Sequence, residues 1–193
     1  MIAPNINPVK GTCWDIEPRA FVIAIQGFIV LTSSMRKINK ADIVEHAWAS
    51  PKGKFAGASK ELSEALGRDP ASMDLRLRHP FDVEICRIPA GKTPYPYHSH
   101  SAQWEFYLIL SGSAKVRDKE GVTAVSEGDA FIFEPDQPHQ ILNDSEADLV
   151  ILVVADNPVG ESCHYPDSQK WLVRSPDRKL IGGQGLNYYD GEE

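Results

Sequence analysis

The chain has 193 residues, a length that suits one compact domain with additional arms. Apolar residues make up 42% and charged residues 24%, which excludes wholesale disorder and a polytopic membrane protein. With 20 Lys and Arg against 27 Asp and Glu, the formal charge is −7, and a general nucleic-acid binder would need a basic excess instead.

The first segment, residues 1–34, holds the longest apolar run, residues 20–31. That run contains Gln26 and Gly27 and is too short to cross a bilayer. Acidic Asp15 and Glu17 precede it and Met35 follows, so residues 1–34 are expected to be a leader or extension, with the functional protein starting near Met35. The protein is expected in the cytoplasm, without a membrane partner.

Residues 35–80 form an N-terminal arm with two short predicted helices. One follows Asn39 as its N-cap, over residues 39–48. The other is capped by Ser59, carries Leu62, Ala65 and Leu66 on one side, and stops at Gly67.

From residue 81 to 157 the texture changes. Seven short runs rich in β-branched and aromatic residues are separated by turn signals at Gly91, Gly112, Gly121, Gly128 and Asn143. The expected fold is all-β, an antiparallel barrel or jelly roll. Runs such as 104–110 and 148–154 are apolar on both faces, so one face fills the barrel and the other suits a partner sheet or a second subunit. The tail, residues 158–193, is polar, but Trp171, Tyr188 and Tyr189 need a surface, which makes it an arm wrapping the barrel. Residues 182–185 are glycine-rich but are not expected to follow a strand, so a nucleotide loop is rejected. Cys13, Cys86 and Cys163 form no CxxC; Cys86 reads as a core thiol, and Cys163 could be activated only by its neighbour His164.

The chemistry gathers around His98 and His100. On a strand, positions i and i+2 point to one face. Glu105 starts the next strand-like run, and a turn between them returns its carboxylate to the two imidazoles. His139 follows a Pro-containing turn, residues 134–138, that fixes its entry. Three imidazoles and one carboxylate suit a divalent transition metal with open positions for substrate; Fe, Mn, Ni, Zn, Co and Cu are not distinguished. Tyr95, Gln103, Trp104 and Tyr107 flank the ligands, where they either line a pocket or cap the barrel rim. Asn143 either belongs to that pocket or ends a strand at a turn. Arg87, Lys92, Lys115 and Arg117 are the nearest cations, and on strands such residues usually point to solvent. His46, His79 and His164 lack ligand-like spacing.

These residues resemble the two motifs of the cupin superfamily. Gly91, His98, His100, Glu105 and Gly112 match the first, with one extra residue before His98. Gly128, Pro138, His139 and Asn143 match the second, with Glu134 in place of its first proline and Asp136 in place of its glycine. Asp tolerates a left-handed turn better than most residues, so the turn is expected to survive. The resemblance implies a β-barrel, often dimeric, with His98, His100, Glu105 and His139 as metal ligands.

The function expected is that of a mononuclear metalloenzyme acting on a small oxygen-rich molecule, with isomerase, epimerase or lyase chemistry. Glu134 or Tyr97 near the mouth is the expected general base. An iron-dependent dioxygenase is one alternative, and a non-catalytic ligand-binding or sensory protein is another.

Overall fold

A computed structural model describes residues 35–72, 74–173 and 178–183. The expectations for residues 1–34, and for Tyr188 and Tyr189, lie outside the described residues.

The N-terminal part is more extended than its sequence suggested. Asn39 does act as a cap, its Oδ1 accepting from the Ala41 N–H at 2.9 Å, but the helix is a single 3-10 turn, Lys40–Asp42. The following residues form strand β1, His46–Ala49, paired with β2, Ala56–Glu61. No 3.6-residue apolar stripe runs through residues 39–48, so strand pairing wins. Trp48 lies flat over Gly57, where any Cβ would overlap its ring. Ser59 is a buried strand residue rather than a cap, and its Oγ donates to Glu61 Oε1 at 2.5 Å. Helix α1, Leu62–Ala65, is one turn long and is closed by Gly67 at φ +94°. A second single turn, α2, Leu75–Arg78, was not legible from its sequence.

The seven expected strands all form. They are β3 (Phe81–Ile88), β5 (Glu105–Ser111), β6 (Ser113–Arg117), β7 (Val122–Ser126), β8 (Ala130–Phe133), β9 (Gln140–Leu142) and β10 (Leu149–Asp156), with the two-residue β4 (Ser99–His100) after β3. The tail adds β11 (Ser162–Tyr165), β12 (Lys170–Val173) and β13 (Lys179–Gly182). Gly182 therefore does end a strand, contrary to the expectation for that segment. All pairings between strands are antiparallel, in sheets ordered β1-β2-β3-β10-β5-β8, β13-β12-β11-β4 and β7-β6-β9. No described helix is long and apolar enough to cross a membrane.

The register of the six-stranded sheet explains where the site sits. On the buried face of β3, β10 and β5 the side chains alternate in and out with period two. Cross-strand neighbours therefore stack in rows. Ser59, Cys86, Ile151 and Ile109 form a mostly apolar row. Glu61, Glu84, Val153 and Tyr107 form the next. Asp82, Ala155, Glu105 and Phe133 form the one beyond it. The main core, including Cys86, Ile88, Ile109, Leu149 and Ile151, lies on the apolar side of this gradient. The polar groups collect at the other end. Gly112 is required where β5 turns into β6: its φ is +89°, and a Cβ would stand 2.8 Å from the Asp148 carbonyl oxygen.

Candidate metal centre

His98 and His139 are set opposite each other by backbone alone. The His98 N–H donates to the His139 carbonyl at 3.1 Å, and the His139 N–H donates to the His98 carbonyl at 2.8 Å. A hydrogen-bonded antiparallel pair sends both side chains to the same face. His100 follows two positions later on that face. Glu105 opens β5, and its carboxylate returns to the three imidazoles.

The turn before His139 is held in place by His100. Asp136 takes φ +64° and donates its N–H to the His100 carbonyl at 2.7 Å, so aspartate does adopt the left-handed conformation where the motif has glycine. Phe133 stacks on the His139 ring at 4.0 Å between centroids and fixes its plane.

Hydrogen bonds on the far side of each ring assign its tautomer. His98 Nδ1–H donates to the Pro96 carbonyl at 2.9 Å, and His139 Nδ1–H donates to the Gln137 carbonyl at 3.1 Å. His100 Nδ1–H donates to Glu161 Oε1 at 3.1 Å. Each ring then turns its Nε2, the nitrogen left for a ligand, towards Glu105 or the space beside it. One ligand atom each from His98, His100 and Glu105 lies within 4.8 Å of the others. His139 Nε2 meets Glu105 Oε2 at 2.9 Å, and the Tyr107 hydroxyl donates to the same oxygen at 2.8 Å.

This donor set fits a cation. His139 Nε2 and Glu105 Oε2 are both lone-pair atoms in this tautomer and stand face to face, which is favourable only with positive charge shared between them. His100 Nε2 is buried without a hydrogen-bond partner, 3.3 Å from Glu105 Oε1. Three nitrogens and a carboxylate match a divalent transition metal. Each ligand histidine also has its other nitrogen anchored, as metal-bound imidazoles need.

Electrostatics follow from burial and partners. Burial, helped by His139 and His100, pushes His98 down to about 3, so it is neutral at physiological pH. Burial also disfavours charge on His100, but Glu105, Cys163 and Glu161 outweigh it and hold that imidazole well above its usual range, so with no cation beside it Nε2 carries a proton that a bound metal would replace. Burial opposes the charge of Glu105 as well; His100 and His139 reverse this and keep the carboxyl well below the usual carboxylate range. The Tyr107 phenol is pushed well up by burial and by the Glu105 charge, so it stays a donor.

A cavity of about 30 Å³ opens beside these groups, lined in part by Glu84, Tyr95, His98, His100, Glu105 and Tyr107. That is room for an ion and a water molecule. The C-terminal strands complete the wall with Cys163, Tyr165 and Leu172, and Arg178 is the lining cation among the described residues.

The other candidates are placed elsewhere. Glu134 is exposed on the turn before His139 and does not line the cavity. Tyr97 points to the opposite side of the chain from His98; its ring lies under the Arg117 guanidinium at 3.8 Å, in a separate recess with Phe55, Thr93 and Asp167. Neither expected base therefore lines the cavity beside the candidate ligands. Gln103 is buried and donates to the Asp156 carbonyl at 2.5 Å, and Trp104 is exposed; neither lines the cavity. Asn143 ends its strand at a turn: its Nδ2 donates to the Ile88, Pro89 and Ala147 carbonyls, and its Oδ1 accepts from Ser145. The four cations nearest the motif are engaged with Glu45 and Asp148 (Arg87), the Gly53 carbonyl (Lys92), Asp144 (Lys115) and Asp167 (Arg117). Cys163 lies 3.5 Å from His100 Nδ1, while His164 turns away to stack on Trp171.

Glu161 and Glu84 were not found from sequence. Glu161 is tied to the site by three backbone N–H groups, those of Ser101, Ala102 and Gln103, at 3.0–3.1 Å. No motif spacing links it to His100, because the contact is made by the pairing of β11 with β4.

A family model for the cupin domain matches residues 84–155. No curated protein sequence matches the chain. Among solved structures, a sugar phosphate isomerase of the cupin superfamily from Silicibacter pomeroyi is 22% identical, with a TM-score of 0.64 over 79% of this chain and 97% of that one. A candidate sugar phosphate isomerase from Acidithiobacillus ferrooxidans is 23% identical, with a TM-score of 0.64 over 76% of this chain and 92% of that one. A candidate oxalate decarboxylase from Thermotoga maritima is 18% identical, with a TM-score of 0.51 over 63% of this chain and 99% of that one. Both motifs, the barrel that presents them and the matched segment agree: residues 84–155 match a cupin domain, and the fold of the chain is similar to that of solved cupin structures.

Proposed function

We propose that this protein is a mononuclear metalloenzyme that isomerises or epimerises a small oxygen-rich molecule. The observation that supports it is the convergence of three anchored imidazoles and the Glu105 carboxylate beside a small cavity with an orphaned Nε2 on its wall. His98, His100, Glu105 and His139 would hold the metal, which when bound supplies Lewis acidity towards a carbonyl or hydroxyl oxygen.

The chain's own groups set the rest. Tyr107 donates to Glu105 and holds it in a single rotamer. Glu161 holds His100 through Nδ1, which leaves Nε2 for a ligand. Val153 and Leu172 on the cavity wall keep bulk water out. Arg178 places a positive charge at the cavity, which suits an anionic substituent such as phosphate. The two similar structures named for sugar phosphate isomerisation agree with this substrate class.

The test loads metal-free protein separately with Mn, Fe, Co, Ni, Zn and Cu, and measures bound metal. Each form is then incubated with a panel of aldose and ketose phosphates in deuterated water and followed by NMR. One metal per chain and interconversion on the panel are expected. Oxygen consumption by the iron form, without interconversion, would replace this reading with a dioxygenase. Failure of all six metals to bind would overturn both.

A further inference from the structure

We propose that Glu84 is the acid–base residue of this cavity and that it shares one proton with Glu61. The proposal rests on the isomerase reading above.

Glu61 and Glu84 are direct cross-strand partners of β2 and β3. Both are buried, at 7% and 4% exposure, and their carboxyl groups are hydrogen-bonded to each other. Two carboxylates cannot share such a contact, so one of the pair carries a proton. Burial raises the Glu61 carboxyl above the ordinary range, while the Ser59 hydroxyl and the contact with Glu84 act the other way, so the pair holds one proton and one negative charge between its two carboxyls. Arg68 is already committed, at 3.0 Å from Asp82 and 3.3 Å from Glu64.

The placement of Glu84 gives the pair a use. Glu84 lines the cavity with His98, His100, Glu105 and Tyr107, whereas Glu61 does not. In its row it is separated from Tyr107 only by the apolar Val153. The buried His100 Nε2, which has no hydrogen-bond partner, opens on the same space, so Glu84 faces the place where the metal would sit. A barrel needing only stability would carry apolar side chains at both positions, because two buried carboxyls are costly. Glu134 and Tyr97 are outside the cavity, so among the described residues Glu84 is the lining carboxylate besides Glu105.

The step balances without an oxidant or reductant. The Glu84 carboxylate takes the proton from the carbon next to the substrate carbonyl. The C–H electron pair becomes the C=C bond of an enediolate, and the carbonyl π pair moves onto oxygen. The hydroxyl proton passes between the two neighbouring oxygens. Glu84, now a carboxylic acid, returns its proton to the adjacent carbon, and the carbonyl reforms one position along.

The experiment compares wild-type protein with Glu84→Gln, Glu61→Gln and Glu84→Asp. Infrared spectra of protein carrying ¹³C-carboxyl glutamate are recorded at neutral pH, with and without metal. With Glu64→Gln added to every protein, which removes the other raised carboxyl, a protonated-carboxyl band is expected in the parent and absent from both further Gln variants; no such band in the parent overturns the shared proton. Metal content and circular dichroism are expected to match the wild type in all variants. Deuterium wash-in from solvent into the aldose and ketose phosphate panel is expected to fall roughly 10²–10⁴-fold in Glu84→Gln. It should recover in part in Glu84→Asp, which keeps the charge and shortens the reach. Wash-in at the wild-type rate in Glu84→Gln overturns the role of Glu84 alone. No wash-in by metal-loaded wild-type protein overturns the isomerase reading and that role together. If Glu84→Gln does not fold, Glu84→Asp decides: full metal with slowed wash-in supports the role, and an unchanged rate overturns it.

Discussion

His98 and His139 exchange a reciprocal pair of backbone hydrogen bonds, and their ring centroids stand 4.8 Å apart. The spacing of two ligand candidates far apart in sequence is thus set by main chain and does not depend on either side chain. Removing one imidazole should leave the frame standing. His139→Ala is expected to retain the wild-type circular dichroism spectrum while metal affinity falls at least 10–100-fold, read by titration with a competing chelator. Loss of fold together with loss of metal would show that the ring, not the backbone, holds the bridge.

Glu161 reaches His100 from the C-terminal strands and also accepts three backbone N–H groups. Burial opposes its charge, but His100 and those backbone donors hold its carboxyl below the ordinary range. Glu161→Gln keeps the shape and removes the charge. Metal affinity should drop about 10–100-fold with the barrel intact, as for other changes behind a ligand histidine. An unchanged metal dissociation constant would show that Glu161 serves only the turn at residues 101–103.

Arg68 and Asp82 form a buried ion pair at 3.0 Å, with side-chain exposures of 2% and 3%. Truncating one partner strands the other. Arg68→Met is expected to lower the unfolding free energy by about 3–5 kcal/mol in urea titrations. The double variant Arg68→Met with Asp82→Leu should regain most of that loss, since the penalty comes from the stranded charge.

Glu64 is pushed up to about 7, first by burial and next by the charge of Glu61, which together outweigh Arg68. The folded state therefore holds this proton more tightly than the unfolded chain does. Its contribution to stability is fully present below pH 4.5 and is lost as the pH rises through about 7. The difference in melting temperature between wild type and Glu64→Gln should change across that window and stay flat above it. A difference constant from pH 4 to 8 would contradict the raised carboxyl.

The barrel was legible because its signals are local. Alternating Val and Ile in 82–88 and 149–154, with Gly112 and Gly128 at the turns, specify strands through period-two patterning that needs no knowledge of partners. The spacing of His98, His100, Glu105 and His139 in the same way singled out four side chains that the fold brings together. What failed depends on pairing. Ser59 looked like a helix cap until β2 found β3. Tyr97 looked like a base because it adjoins His98 in sequence, yet alternation on an extended chain sends neighbours to opposite sides. Glu84 was hidden among the charged residues of a strand, and only the register that sets it against Glu61 and Val153 gives it meaning.

The roof of the cavity is encoded after its floor. His98, His100, Glu105 and His139 all leave the ribosome before Glu161, Cys163, Tyr165 and Leu172. The wall over the donors thus comes from a segment that follows all four of them in the chain, and a substitution there changes access to the cavity without touching a donor.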